Sequence, residues 1–421
     1  MAAPNFLTRP LSRRGRILLL LGASGLLAGL DRDGLVAASG GVRDFLRMPG
    51  DDLEIAYGAL DFGFYLALVG GGFFAEWLGA RRALLICGIT AAAATALTGF
   101  AWSLTVLMLF RLVLGLAIGA IIPASVVALL PWTPPPERGW AQGLLQAGLA
   151  AGGILAGPIV LVAEAAGSWR SAFPLFGALG AAWVLAWFFW FEARPNAGDA
   201  EPARLPIYWR GALRTMALPL SLAFAQGWGM ELCSRWLPPF LVSHWHFDIK
   251  LSSTVAVLTV VAPILGSLAG GLAADLSIRH SGNIRSAHQL TPGLGFGLAA
   301  LSLLLLPIGE NETAIAIWLA LALFGLQAAG VLLWVIAMDV GGPHPDVAAA
   351  FIGFGMLAAR LLSPGHLVAL TGFGQLPLFL GIPILLAGGV FSFRLRPHVE
   401  LPQRPAGPPE ARAEEESGAA A

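Results

Sequence analysis

The stretch LLAGLDRDGLVA, residues 26–37, places Asp31, Arg32 and Asp33 side by side in a run otherwise made of Leu, Ala, Gly and Val. A charge at the centre of a bilayer costs at least about 3 kcal/mol, so charges retained there point to a paired or water-lined functional site. Four other apolar stretches carry such charges. Tyr57, Asp61 and Tyr65 fall at i, i+4 and i+8, a polar stripe on one helix face. Glu231 and Arg235 are spaced i, i+4 with the acid first, the favoured order for an intrahelical pair. Arg111 shares a face with Gly115 and Gly119, small residues that admit a second helix beneath it. Arg360 precedes LLSPGH, where a proline bends the chain. All but Arg111 also have a purely structural reading; packing accounts for Gly115 and Gly119 but not for the arginine beside them. Arg32 is neutralised by its two neighbours, Asp33 marks an outer helix end, Glu231–Arg235 is a bridge, Tyr57 anchors at the interface, and Arg360 props the bend.

The elements that must position these groups are transmembrane helices. The chain of 421 residues is 57% hydrophobic and 12% charged, with a mean hydropathy of +0.75. Soluble domains carry about 25% charged residues. Apolar runs of about 20 residues, each long enough to cross a bilayer, recur along the sequence. The fold class expected is an all-α membrane protein with twelve spans: 15–39, 54–77, 82–103, 105–131, 139–165, 170–192, 213–243, 251–275, 288–308, 312–338, 347–372 and 374–394. The alternating pattern of a β-barrel is absent from the sequence. A net charge of zero gives no reason to expect a nucleic-acid partner. Cys87 and Cys233 fall inside spans and read as packing residues.

The arginines orient the chain. Those of the N-terminal arm, Arg81 and Arg82, Arg138, Arg194 to Arg214, Arg279 and Arg285, and Arg394 and Arg396 fall on one side. The opposite loops keep Arg43, Arg47, Arg170 and Lys250, the single lysine. The positive-inside rule then predicts cytoplasmic N- and C-termini. Arginine-rich composition with abundant Ala and Gly suggests a bacterial inner membrane as the setting.

The expected organisation is a cytoplasmic arm 1–14, a six-helix bundle 15–194, a cytoplasmic loop 195–212, a second six-helix bundle 213–394 and a disordered tail 395–421. The halves echo each other: GFFAEWLGARR (72–82) and GLAADLSIRH (271–280) both read Gly-x-x-x-acid and then basic residues, after the second span of each half. A duplicated six-helix unit is the mark of a secondary transporter whose substrate sits near midplane between the repeats.

Counting 1.5 Å per residue from the arginine-rich side places Arg32 at about 25 Å, Asp61 at about 24 Å, Glu231 at about 27 Å, Arg360 at about 20 Å and Arg111 at about 30 Å. Five charges from five helices thus share one slab. Arginines there suit an anion, since a guanidinium matches a carboxylate with two parallel hydrogen bonds. Three weaker signals lead elsewhere. The glycine-rich GLGFGLAAL (293–301) lies inside a span without a preceding strand, HWH (244–246) has no third metal ligand nearby, and NET (311–313) is a glycosylation triplet without meaning in a bacterium. No cofactor or metal is implied.

These stretches resemble the major facilitator superfamily, and within it the anion:cation symporter family of bacterial sugar-acid transporters and vesicular glutamate transporter relatives. The similarity runs from about residue 14 to 394 and is most specific over 111–194. RLVLGLAIGAIIPASVVALLPWTPPPERGWAQG resembles the family's fourth helix and following loop, and GSWRSAFPLFGALGAAWVLAWFFWFEARP its sixth helix. RWLPPFL (235–241) is similar to its helix-seven motif, and GFFAEWLGARR to its loop after helix two. The resemblance implies anion binding and proton coupling by Asp31, Arg32 and Arg111. It also implies a gate on the cytoplasmic side formed by Glu76 with Arg81 and Arg82, by Arg138, and in the second half by Asp275. The sequence departs from the pattern at Ile118, where sugar-acid transporters carry a Glu, at Glu76, where Asp is usual, at Trp77, which replaces a basic residue, and in GMLAARLLSPG of the eleventh helix.

The expected function is alternating-access transport of a small organic carboxylate with protons, by a monomer. Arg32, Arg111, Tyr65 and Arg360 would hold substrate, and Asp31, Asp61 or Glu231 would carry the proton. Ile118 keeps a rival open, an anion uniporter or exchanger without protons. A transport-inactive receptor is disfavoured by a tail too short for an output domain, and an enzyme by the lack of any nucleophile–base pair in the sequence.

Overall fold

The computed structural model describes residues 13–47, 52–191, 207–245, 253–309, 311–396 and 401–402. The N-terminal half begins with α1 (Arg13–Ala37), a short α2 (Ser39–Leu46), α3 (Asp52–Leu78) and α4 (Ala80–Thr98). It continues with α5 (Leu104–Leu129), α6 (Pro135–Ala165), a 3-10 turn at Trp169–Ser171, and α7 (Ala172–Trp190). The second half holds α8 (Trp209–Glu231), α9 (Leu237–Trp245), α10 (Ser253–Ser281), α11 (Ile284–Leu305), α12 (Glu312–Val340), α13 (Pro345–Leu361), α14 (Pro364–Thr371) and α15 (Leu376–Ser392). Each of the twelve expected spans is met by one rod or by one broken rod. Nine described helices are long and apolar enough to cross a membrane by length and composition. Of the rest, α1 carries DRD, and α15 has 17 residues.

Two spans are broken, and prolines explain both. Pro238 and Pro239 have no N–H for the carbonyls of Ser234 and Arg235. Between α8 and α9 the chain forms a π-helical turn, Leu232–Trp236, in which Leu237 N–H bonds Leu232 O, five residues back. Pro364 likewise leaves Arg360 O without its helical partner. Ser363 N–H takes that oxygen at 3.2 Å, and α13 ends before α14 begins. The triplet at 311–313 has a structural use: the Asn311 side chain accepts from Ala314 N–H at 2.9 Å and caps α12.

The two halves pack by the same plan. α3 lies on α5, α1 on α6, and α4 on both α5 and α7. In the second half α10 lies on α12, α8 on α13, and α11 on both α12 and α15. Between the halves α6 meets α10 and α13 meets α3, which are equivalent pairs under exchange of the repeats. Small residues make the close pairings possible. A Cβ at Gly29 would run into Leu149 O, and one at Gly115 into Leu60 O, so the glycines below Arg111 admit α3 as expected. Cys87 and Cys233 are both buried.

The segments outside the bundles differ in part from expectation. α8 starts at Trp209, within the expected loop 195–212. Leu395 and Leu401 are buried, Leu401 N–H bonds Val340 O, and Tyr208 N–H bonds Pro402 O, so the start of the expected disordered tail is docked on the second half. The arm 1–12, residues 192–206, the side chains of HWH, Lys250 and residues 403–421 lie outside the described residues.

Candidate functional site

Asp61, on α3, is the centre of a charged cluster that joins the halves. Arg235, in the π-helical turn, grips its carboxylate with both terminal nitrogens, Nη1 on Oδ2 and Nη2 3.0 Å from Oδ1. Arg32 of α1 reaches Oδ1 at 3.4 Å, and Arg360 of α13 reaches Oδ2 at 3.3 Å. Glu231 closes the group: it accepts from Tyr65 Oη at 2.9 Å and faces Arg360 Nη1 at 3.4 Å. Phe64 lies under the Arg32 guanidinium at 4.9 Å. Three guanidinium groups face two carboxylates here, and the Asp33 carboxyl lies within electrostatic reach of Arg32 and Arg235. The acids are enclosed and the cations are not. Asp61 and Glu231 side chains are 5% and 6% exposed, against 24% for Arg32 and Arg360 and 38% for Arg235. The guanidinium groups are thus more accessible than the carboxylates that hold them.

The π-helical turn sets this geometry. In a regular helix Arg235 would lie directly over Glu231. The extra residue in the turn rotates Arg235 toward α3, so its bond to Glu231 stretches to 3.8 Å while its two terminal nitrogens take Asp61. The intrahelical bridge expected from spacing is thus secondary. Arg235 was absent from the expected binding set, and RWLPP, with two prolines after the arginine, was the signal for it.

Arg32, Asp61, Tyr65, Glu231 and Arg360 come together as expected, but Arg111 and Asp31 do not join them. Arg111 is fully buried in the N-terminal half, with Nη1 on the backbone oxygen of Asp31 at 2.9 Å and Phe173 beneath it at 5.4 Å. The expected clamp of Arg32 and Arg111 on one carboxylate is not formed, because the two side chains leave their helices toward different neighbours. Nor does the Asp31 carboxylate pair with Arg32. Its Oδ1 is buried without a hydrogen-bond partner. Tyr57 packs in an apolar cluster with Phe173 and Phe176, apart from Asp61's ligands. Ile118 is buried in the main core cluster, which supplies no acid at the position of the family's Glu.

A second cluster closes the arginine-rich end. Asp275 of α10 accepts from the N–H groups of Gly139 and Trp140 at 2.9 and 2.8 Å, capping the first turn of α6 from the other half. Arg279 reaches Pro136 O at 3.3 Å, and Arg14 pairs with Glu137. Arg138 pairs with Asp339 of α12, whose other oxygen stands 2.8 Å from His288 Nε2. Gly139 and Gly271 allow the backbones to touch, since a Cβ on either would meet the other's carbonyl oxygen. Asp275 and Arg138 therefore bridge the halves. Arg81 does not: it donates to Phe188 O at 2.9 Å and braces α4 on α7 within one half. Arg82 is exposed, and Glu76 is half-buried at the end of α3. Asp339 and His288 are not among the expected site residues; the acid in AMDVGG was the signal the sequence offered for this pair.

Residues 21–364 match the model of the Major Facilitator Superfamily. A protein of Cupriavidus necator described as a probable sulfoacetate transporter is 29% identical over 90% of this chain and 94% of its own length. A hexuronate transporter of Bacillus subtilis is 24% identical over 90% and 92%. A galacturonate transporter of Dickeya chrysanthemi is 27% identical over 58% and 77%. In three dimensions the chain superposes on a proton:xylose symporter solved with 6-bromo-6-deoxy-D-glucose, with a TM-score of 0.71, 12% identity, and coverage of 93% of this chain and 97% of that one. That likeness concerns the fold.

Proposed function

The chain belongs to the Major Facilitator Superfamily, and from that premise we propose that it is an alternating-access carrier of a small organic anion, driven by protons. The observation that carries the proposal is the single carboxylate of Asp61 held by three arginines from three other elements. An anion bearing a carboxylate or sulfonate offers the oxygens that Asp61 now supplies, and guanidinium forks suit both groups. The named substrates of the relatives, sulfoacetate, hexuronate and galacturonate, are acids of this kind.

The same arrangement supplies a coupling device. Protonation of Asp61 or Glu231 removes a competitor for the arginines and makes the cluster more positive where it meets the substrate. Proton and anion then favour each other's binding, and by linkage the effect is reciprocal. Asp61 and Glu231 take the proton-carrying role, because Asp31 lies beside Arg111 and away from the exposed guanidinium groups. Tyr65 holds Glu231 in place through its hydroxyl. The latch of Asp275, Arg138 and Asp339 gives the carrier a closed arginine-rich end, which the positive-inside rule assigns to the cytoplasm of a bacterial inner membrane.

Ile118 favours a second reading, anion exchange without protons. Both are tested by uptake into proteoliposomes of labelled sulfoacetate, hexuronates and monocarboxylates, with and without an inward proton gradient. Accumulation driven by the gradient supports symport. Exchange that ignores the gradient supports the second reading, and no uptake of any organic anion overturns both.

A further inference from the structure

Within the second half, at its arginine-rich end, lies a cavity of about 670 Å³ that the transport reading does not use. Arg214 at the start of α8, Arg285 at the start of α11, and Arg394 and Arg396 after α15 line it together with His288. Its walls are fixed rather than incidental. Gln289 Nε2 donates to both Phe393 O and Leu395 O, at 2.9 and 2.8 Å, and holds the chain bearing Arg394 and Arg396 against α11. Leu401 N–H bonds Val340 O beside the cavity.

Four like charges, all on exposed side chains, are gathered at this cavity, and an anion that joined them would offset their mutual repulsion. Among the described residues no carboxylate pairs with any of the four, and Asp339, the nearest acid by its contact with His288, is already engaged by Arg138. His288 is fully buried, and neither ring nitrogen has a hydrogen-bond partner, although Nε2 stands 2.8 Å from Asp339 Oδ2. A phosphate group, with several oxygens, can accept from more than one guanidinium fork at once. Leu218 and Phe393 add apolar wall beside the charges, as an amphiphile would require.

We propose that this cavity is a binding site for a phosphate-bearing anion, separate from the Asp61 cluster, whose source is either the headgroup of an anionic phospholipid or soluble phosphate. The site does not depend on the transport reading.

The test is calorimetric titration of the purified full chain with inorganic phosphate, with short-chain phosphatidylglycerol, and with short-chain phosphatidylcholine as the zwitterionic control. One or both anionic probes are expected to bind with unit stoichiometry. Phosphate binding identifies the soluble source, and binding of phosphatidylglycerol alone identifies the lipid. Arg285→Gln combined with Arg394→Gln should weaken binding about tenfold or more. Arg210→Gln, an exposed arginine of α8 outside the cavity, should leave it unchanged. Arg360→Gln should also leave it unchanged, which separates this site from the transport cluster. If the double variant does not fold, the single Arg396→Gln at an exposed position decides, with an expected loss of about threefold. The proposal is overturned if neither anionic probe binds, if phosphatidylcholine binds as well as phosphatidylglycerol, if the cavity variants bind as the natural chain does, or if Arg360→Gln abolishes binding.

Discussion

Arg235 Nη2 stands 3.0 Å from Asp61 Oδ1, and this contact ties the π-helical turn of the second half to α3 of the first. The halves are thus joined at two levels. One is the latch at the arginine-rich end, built from Asp275 on α6 and Arg138 on Asp339. The other is the central charge cluster, where the joining carboxylate occupies guanidinium groups that an anion could take. Substrate binding would exchange a protein carboxylate for a ligand one, so the stability of the central tether and the affinity for substrate are opposed terms.

Asp61→Asn removes that competing charge and with it the proposed coupling. Gradient-driven uptake in proteoliposomes should fall by about 5- to 150-fold, the range of a coupling free energy of about 1–3 kcal/mol. Counterflow of labelled against unlabelled anion, which needs no net proton movement, should persist. Loss of both activities together would show that Asp61 serves binding or structure and not coupling.

Arg32→Gln and Arg360→Gln each delete one charge-assisted partner of the proposed anion. A hydrogen bond to a charged group is worth about 1.5–3 kcal/mol, so affinity should fall about tenfold to a hundredfold in each variant. Substrate titration by calorimetry measures it. Wild-type affinity in both variants would remove the arginine cluster as the binding site.

Arg111→Gln should behave differently. Its guanidinium is fully buried on the Asp31 carbonyl and over Phe173. Breaking such a buried polar contact costs about 3 kcal/mol or more. The expected result is a lower thermal midpoint, with the folded fraction binding substrate within about twofold of the natural chain. A folded variant that no longer binds would return Arg111 to the substrate site.

Sequence alone carried the fold far because hydropathy and arginine placement act on whole segments and tolerate errors of a few residues. Depth counting along rods was enough to bring Arg32, Asp61, Glu231 and Arg360 to one level. It could not give direction around the helix axis. Arg111 shares that level but points into its own half, and Asp31 turns its carboxylate away from Arg32 although the two are adjacent. The π-helical turn shifted Arg235 out of the spacing rule that had tied it to Glu231. Asp339 and His288 lie near helix ends, where a charge costs little, so their types and positions alone do not mark a site.

Asp275→Asn weakens the cap on α6 by replacing a charged acceptor of two N–H groups with a neutral amide. Spin labels at Arg82→Cys and Arg210→Cys, exposed positions on opposite halves at the arginine-rich end, report its opening. Both natural cysteines are buried and should label poorly. Pulsed electron resonance should give one short distance in the parent and a growing long-distance component with Asp275→Asn. An unchanged distribution would mean that Arg138 with Asp339 holds the latch alone.

Gly271→Val tests whether closure of this end is needed for transport at all. A Cβ on Gly271 would meet the carbonyl group of Gly139 and Trp140 N across the halves, with backbone on both sides and no flexible side chain to yield. The contact lies between the bundles and not within either one, so each half should fold with its own helix pairings intact. The expected outcome is a stable protein whose arginine-rich end stays apart, seen as the long distance in the same labelled pair. Uptake and counterflow should both be lost, since neither can proceed if one end cannot close. Substrate binding at the Asp61 cluster, accessible from the open side, should survive. Normal transport by this variant would show that the close approach of Gly139 and Gly271 is not part of the working cycle.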